Sequence, residues 1–161
     1  MTATLSVPIQ EADFDVARLQ SALLQGNAAE GAVATFTGYV RNANDDRRVD
    51  TLELEHYPGM TERSIGEILN ESANRWPVYG ASVVHRVGAL HPGEQIVWVG
   101  VSSAHRAAAF AACDFIMDYL KTRAPFWKKE TGPQGSAWVE ARDSDTERAR
   151  RWRRQQAQSQ Q

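Results

Sequence analysis

The sequence contains a single cysteine among its 161 residues, so an intrachain disulfide is excluded. It also has no run approaching the ~20 apolar residues that a membrane-spanning helix needs. The first residues lack the basic start and apolar run of a secretory signal. The formal net charge is only −2, so no overall field attracts nucleic acid or an anionic membrane. We therefore expect a cytoplasmic protein with neither partner, in which any basic site is local.

The composition is that of an ordinary globular protein, with 42% hydrophobic and 24% charged residues. A chain of this length buries roughly two thirds of its unfolded surface, which is enough for one core. We expect a single domain over residues 1–152 and a disordered Gln/Arg-rich tail over 153–161. The basic run "RARRWRR" (148–154) is short, so a solvated terminus or a dimer edge is a better interpretation than nucleic-acid binding.

Hydrophobic periodicity predicts helices that alternate with hairpin-forming strands. The class expected from this order is α+β with a largely antiparallel sheet. The predicted strands cover residues 3–9, 31–40, 51–57, 80–88, 95–101 and 135–142. The predicted helices cover 13–25, 61–76, about 104–122 and a short segment at 144–152.

The stretch "YLKTRAPFWKKE" (119–130) gathers four cations around a Pro-Phe-Trp corner. The residue before a proline avoids helical geometry, so Pro125 ends the third helix near Thr122 or Arg123. Lys121 then lies in the last turn, where a cation is favoured by ~0.3–1 kcal/mol.

The helix end does not explain Lys128 and Lys129. If Phe126 and Trp127 pack inward, the chain folds back and brings Lys128 near Lys121. Crowded ammonium groups depress each other's pKa, which is one way to make a lysine a usable base or nucleophile. The alternative is a solvated helix end with scattered surface lysines.

The other end of this helix follows the segment "VSSAHRAAAF" (101–110). A helix N-terminus offers free N–H groups and a partial positive charge, so His105 and Arg106 in the first turn suggest an anion site. The alternative is a serine cap followed by two solvated side chains. Arg41 ends an earlier strand, where it either holds a phosphate by paired hydrogen bonds or lies in solvent.

The two cationic groups cannot meet on one straight helix. Residues 105 and 121 lie ~24 Å apart along the axis and point to nearly opposite sides. Either the helix breaks or a second subunit supplies one group. We favour a symmetric dimer with composite sites.

The remaining reactive side chains predict no further chemistry. His56, His85 and His91 show no metal-ligand spacing, so we expect no metal site and assign them structural roles. Cys113 lies on an apolar stripe that Phe110 begins at helical spacing, and we expect a small buried hydrophobe rather than a nucleophile.

Four segments together resemble the large, catalytic subunits of molybdopterin synthase: "AVATFTGYVRNAN", "LELEHYPGMTE", "VSSAHRAAAFAACDFIMDYLKTRAPFWKKE" and "WVEARDSD". The resemblance covers about residues 31–152. It implies an α/β hammerhead-like fold with an additional, largely antiparallel sheet.

The resemblance also implies an activity. The enzyme is a sulfurtransferase of molybdenum cofactor biosynthesis that places two dithiolene sulfurs on cyclic pyranopterin monophosphate (precursor Z), and no cofactor is expected. The donor is the C-terminal Gly-Gly thiocarboxylate of a small ubiquitin-like subunit. Two large subunits form the central dimer of a heterotetramer.

By motif position the resemblance implies roles for ten residues. Lys121 assists attack of the thiocarboxylate, either as acid/base or by stabilising negative charge, and Lys128 helps catalysis or binds phosphate. The expected substrate-binding positions are Tyr39, Val40, Arg41, His105, Arg106, Lys121, Lys128, Lys129, Glu130 and Arg142, with Arg142 reaching across the dimer.

Two positions depart from the family pattern. Tyr39 stands where some relatives have a lysine, and Lys129 stands where arginine is common, so bidentate binding is not implied there. A different class of function uses the same cations: a non-catalytic module that binds a phosphate ligand or a ubiquitin-like protein. Turnover by the wild-type chain and its loss in Lys121→Ala separate the two.

Overall fold

The computed structural model describes residues 3–139 and 143–159. The strands are β1 (Thr4–Ser6), β2 (Ile9–Gln10), β3 (Ala32–Tyr39), β4 (Ala43–Asn44), β5 (Arg47–Arg48), β6 (Thr51–His56), β7 (Val78–Arg86), β8 (Gly88–Leu90), β9 (Gln95–Ser103), β10 (Phe126–Gly132) and β11 (Gly135–Val139). The helices are α1 (Val16–Ala22), α2 (Met60–Arg75), α3 (Arg106–Thr122) and α4 (Asp143–Ser159).

The larger sheet has the strand order β1-β7-β9-β3, with β2 also paired to β7. β3, β7 and β9 are antiparallel neighbours, whereas β1 and β2 run parallel to β7. In the β3–β9 ladder Ala32 lies opposite Ser103 and Tyr39 lies opposite Gln95. This register decides which ends of the strands lie at each end of α3.

The smaller sheet has the order β11-β10-β6-β8 and is antiparallel throughout. Its central strand β10 begins directly after the Pro125 corner, with Phe126 opposite His56 of β6. A separate two-stranded ribbon, β4–β5, lies within the polar loop that follows β3.

Helices α2 and α3 contact the larger sheet and each other. α2 buries Ile65, Ile68 and Leu69 completely, as its helical spacing predicts. α1 lies against a separate apolar cluster that contains Leu23 and Trp98. Helices therefore cover both faces of the larger sheet.

Helix α4 docks on α3 rather than on the sheet. Its Ala149 and Trp152 join the main core cluster, and Trp152 packs edge-on against Phe115 at 5.6 Å and Trp76 at 5.4 Å between ring centroids. α4 continues to Ser159, beyond the boundary at residue 152 that the sequence suggested. The division into a domain and a tail stays a prediction.

The predicted α+β class with a largely antiparallel sheet is confirmed. Three local expectations are wrong. Residues 89–94, which connect two of the predicted strands, form more than a turn, since Ala89 and Leu90 pair with β6. Trp127 is 46% exposed because it lies on the outward face of β10, and Phe110 is 65% exposed although it continues an apolar spacing.

Candidate active site

The C-terminal end of α3 is held by a buried threonine. Thr61, in the first turn of α2, accepts a hydrogen bond from the backbone N–H of Tyr57 at 2.9 Å and donates one to the carbonyl of Pro125 at 3.0 Å. The chain therefore turns from α3 into β10 against a fixed point. Pro125 ends the helix as expected, with Arg123 as its C-cap.

This turn brings Lys121 of α3 and Lys128 of β10 together. Burial, followed by the charge and hydrogen-bonding contact of Lys121, lowers the pKa of Lys128 to about 8, while Asp145 and Glu130 oppose the change. A lysine with a pKa near neutrality is partly uncharged under working conditions and transfers protons efficiently. The approach of the two amines depends on Phe126, which is partly buried, rather than on Trp127.

His85 is buried next to this lysine pair. Its ring stacks on Phe126 with centroids 3.9 Å apart, and Nδ1 lies 2.7 Å from the carbonyl oxygen of Arg86. A carbonyl only accepts, so Nδ1 carries the proton and the neutral ring keeps Nε2 as an acceptor. Burial lowers the pKa of His85 to about 4, and the charges of Lys128 and Lys121 act in the same direction.

The next residues of β10 alternate between two environments. Glu130 lies on the face of Lys128 and accepts hydrogen bonds from the Asn44 amide at 3.1 and 3.3 Å. Lys129 points to the other face, where its Nζ lies 5.8 Å from the centre of the Trp138 ring. Glu130 is thus oriented by a neighbour beside Lys128, whereas Lys129 is on the opposite side of the strand.

A cavity of about 440 Å³ opens beside Lys121 between β3, α3 and α4. Phe36, Phe110 and Met117 supply apolar walls. The charged lining residues are Lys121, Arg148, Asp114, Asp118 and Asp145. The exposure of Phe110 is explained by this position, since it borders an open cavity instead of filling the core. The cavity therefore combines apolar walls with charges of both signs, and Lys121 is one of the two cations among its described lining residues.

The N-terminal end of α3 has a different character. His105 is the N-cap residue with extended backbone angles, and its side chain makes no capping hydrogen bond. The serine cap considered from the sequence is wrong, because Ser103 is buried and donates instead to the Pro77 carbonyl at 2.7 Å. His105 and Arg106 are both exposed.

Helix α3 is continuous from Arg106 to Thr122. A broken helix therefore does not bring its two cationic ends together, and one copy of the chain keeps them apart. Arg41 follows the Tyr39 end of β3, whose other end adjoins Ser103, so Arg41 belongs to the sheet end that Lys121 approaches.

The other predicted positions are placed as follows. Val40 is 5% exposed and packs with Leu52, Leu54 and Leu90, so it supports the strand end from inside. Tyr39 is exposed beside it. Arg142 lies outside the described residues.

Cys113 is buried on α3, and burial raises the pKa of its thiol to about 12, which leaves it unreactive. Within residues 3–139 and 143–159, His, Cys, Asp and Glu side chains form no group of three that suits a metal ion. None of the helices in these ranges has the length and apolarity to cross a lipid bilayer.

Sequence reasoning missed Asp145 and the electrostatic position of His85. Asp145 could have been found, because it lies three residues after Arg142 in "VEARDSD", a segment that already carried the resemblance. His85 gave none, because a lone histidine in an apolar strand is indistinguishable from a core residue.

Comparison with known proteins gives a consistent result. The model of the MoaE protein family matches residues 9–123. A molybdopterin synthase catalytic subunit of Pseudomonas aeruginosa is 53% identical over 148 residues, which are 92% of this chain and 99% of that protein.

Solved structures extend the likeness to three dimensions. The molybdopterin biosynthesis MoaE protein of Burkholderia ambifaria has a TM-score of 0.78 and 48% identity, covering 94% of this chain and 98% of that one. A complex of subunits 1 and 2 of the molybdopterin-converting factor from Helicobacter pylori shares the fold, with a TM-score of 0.69 and 19% identity over 84% of this chain and 91% of that one.

Proposed function

The chain belongs to the MoaE protein family, and on that premise we propose that it is the catalytic subunit of a molybdopterin synthase. It transfers two sulfurs to cyclic pyranopterin monophosphate and so completes the dithiolene of molybdopterin. The observation that carries the proposal is the meeting of Lys121 and Lys128 beside an open cavity, in a chain whose one thiol is buried and unreactive.

The two lysines divide the chemistry between them. Lys128, with its pKa lowered to about 8, is suited to give and take protons during attack on the pterin. Lys121 stands at the exposed end of the cavity, where its ammonium group stabilises negative charge that develops on oxygen or sulfur. His85 adds an uncharged acceptor below them instead of a third cation.

The sulfur arrives on a partner. A small ubiquitin-like subunit carries it as a thiocarboxylate on its C-terminal Gly-Gly, and the extended tail enters the cavity between β3 and α3. The apolar walls at Phe36 and Met117 suit a glycine backbone, and Lys121 meets the anionic end. This donor explains why the chain needs no cysteine nucleophile of its own.

The phosphate of the pterin is bound by two copies of the chain. Arg41 lies at the same end of the sheet as Lys121, whereas His105 and Arg106 lie at the other end of the continuous helix. A symmetric homodimer places His105 and Arg106 of one copy beside the lysines of the other. Arg142 reaches the site in the same way.

The remaining predicted positions line the approach. Glu130, oriented by Asn44, balances the charge of Lys128. The exposed Tyr39 forms the rim near Arg41, and the buried Val40 supports that strand end from inside. Lys129 contributes from the opposite face of β10, at the edge where the Trp138 ring lies. Its distance from the cavity makes it the weakest contributor.

Subunit complementation tests the composite site. At a pterin concentration well below KM, Lys121→Ala and Arg106→Ala each strongly reduce the activity of a homodimer, because each removes one half of both sites. When the two variants are unfolded together and refolded at equal ratio, half of the dimers are mixed and carry one intact site. We expect about a quarter of the wild-type rate with precursor and thiocarboxylated carrier.

A mixture that stays inactive, although each variant is folded and dimeric, contradicts shared sites. If wild-type protein binds carrier and pterin but forms no dithiolene product, the chain is the non-catalytic binding module instead. Its proposed place of action is the cytoplasm, which fractionation of cells that express the tagged chain tests.

A further inference from the structure

Asp145, in the first turn of α4, has no role in the function described above. It shares the wall of the 440 Å³ cavity with Lys121, Phe36 and Met117. It is partly buried, unlike Asp143 at the start of the same helix, which is exposed. The other carboxylates of this wall, Asp114 and Asp118, are paired with Arg148 and Arg151, whereas Asp145 acts on Lys128.

The position of Asp145 is fixed by the way α4 docks. Arg148 follows it by three residues, on the same face of the helix, and reaches Asp118 at 3.1 Å and Asp114 at 3.0 Å. One turn further, the indole N–H of Trp152 donates to Asp118 at 2.7 Å.

Arg151 bridges the same two carboxylates as Arg148. Its guanidinium lies 2.6 Å from Asp114 and 2.8 Å from Asp118. Because Asp118 is almost fully buried, these bonds define both the rotation and the height of α4 on α3. The first turn of α4 is thereby directed toward the lysine pair.

The charges around Lys128 come from four elements. Lys121 of α3 and the buried His85 of β7 bring no negative charge, while Glu130 of β10 and Asp145 of α4 are carboxylates. Asp145 exerts the larger of the two favourable carboxylate effects on the pKa of Lys128, against burial and the charge of Lys121. Glu130 is in addition occupied by the Asn44 amide.

We propose that Asp145 is a positioning residue that serves as the resting counter-ion of the Lys121–Lys128 pair and yields its place when the anionic substrate or carrier tail enters. It keeps two ammonium groups close together in an empty site. This inference rests on the proposed function only for the identity of the anion. The charge relation itself holds whatever the chain does.

The test compares Asp145→Asn with Asp143→Asn. Both remove one negative charge from the first turn of α4, so both change the helix dipole interaction equally. The pH dependence of Lys128 acylation, read by peptide mass spectrometry, reports its titration without needing turnover. We expect Asp145→Asn to lower that midpoint by about one unit and Asp143→Asn to leave it in place.

The same shift should move the basic limb of kcat/KM to lower pH in Asp145→Asn, and Asp145→Glu should restore both readouts. An unchanged Lys128 midpoint in Asp145→Asn, or an equal shift in Asp143→Asn, overturns the proposal. Loss of product formation in every form, wild type included, with the shift in labelling still present, counts against the synthase activity alone.

Discussion

The two ends of α3 carry cations for opposite physical reasons. At the C-terminal end, Lys121 meets Lys128 over His85, with carboxylates, aromatic rings and a docked helix around them. At the N-terminal end, His105 and Arg106 are exposed, and neither side chain has a hydrogen bond or ion pair within the described part of the chain. Cations suit the negative end of a helix dipole and oppose the positive end.

Under the proposed function, the fold itself arranges the chemical groups at the C-terminal end, whereas the N-terminal end binds an anion. A pocket that lowers a lysine pKa uses folding energy to do so. An exposed cation at a helix N-terminus gains its counter-charge only when an anion binds. We therefore expect substitutions at the C-terminal end to change the stability of the fold, and substitutions at the N-terminal end to change mainly the affinity for the anion.

The largest expected effect on stability is at Asp118, which fastens α4 to the C-terminal end. Asp118→Ala leaves the buried indole N–H of Trp152 without its acceptor and removes one of the two carboxylates that Arg148 and Arg151 bind. We expect a loss of about 3 kcal/mol in the free energy of unfolding, measured by urea denaturation.

Asp114→Ala is the matched control, because Asp114 pairs with the same arginines but its side chain is 42% exposed. Its loss should stay below about 1 kcal/mol. Equal losses in the two variants would mean that Asp118 has no special place in the docking of α4.

A pH effect of similar or smaller size is expected at His85. Its pKa is about 4 in the folded chain, below the value of 6.5 for a free side chain. As pH falls through this window the unfolded chain takes up a proton that the folded chain does not, so stability decreases, by up to about 3 kcal/mol. Stability from this group is fully present above pH 6.5.

Unfolding in urea at several pH values across this window, with His85→Gln beside wild type, isolates the contribution. Glutamine does not titrate, so the variant should show a shallower decline even if its stability at neutral pH is lower. Parallel curves would show that another group controls the decline.

The smallest effect is expected at the exposed end. Arg106→Ala should change the free energy of unfolding by no more than about 0.5 kcal/mol, while it raises the KM for the phosphorylated pterin by about tenfold or more. A change in kcat alone, or a large loss of stability, would contradict a role for Arg106 in phosphate binding only.

Much of this arrangement was predictable from local rules. Pro125 ended α3, apolar spacing located α2 and α3, and the cations of 119–130 pointed to a paired-lysine site because the helix dipole accounts for Lys121 but not Lys128. The β-branched and aromatic residues of β3 located that strand, and the alternation of apolar and polar residues located β6.

What remained hidden depends on tertiary contacts. The strand β10 has a charged sequence, "FWKKETG", and exists because β6 and β11 pair with it from both sides. Phe110 follows the helical period yet borders a cavity that α4 helps to form. Asp145 acquires its role only through the docking bonds of Asp118, which lie about 30 residues away in sequence.

Because α3 is continuous, its length fixes the distance between the cations at its two ends. In the proposed symmetric dimer, each α3 reaches from one active site to the other. The length of the helix therefore sets the distance between the two sites. Four additional residues would lengthen it by about 6 Å and turn its far end by about 40°. Such a change would misplace a cation in both centres simultaneously, so we expect insertions and deletions in this helix to reduce activity more than substitutions at its exposed positions.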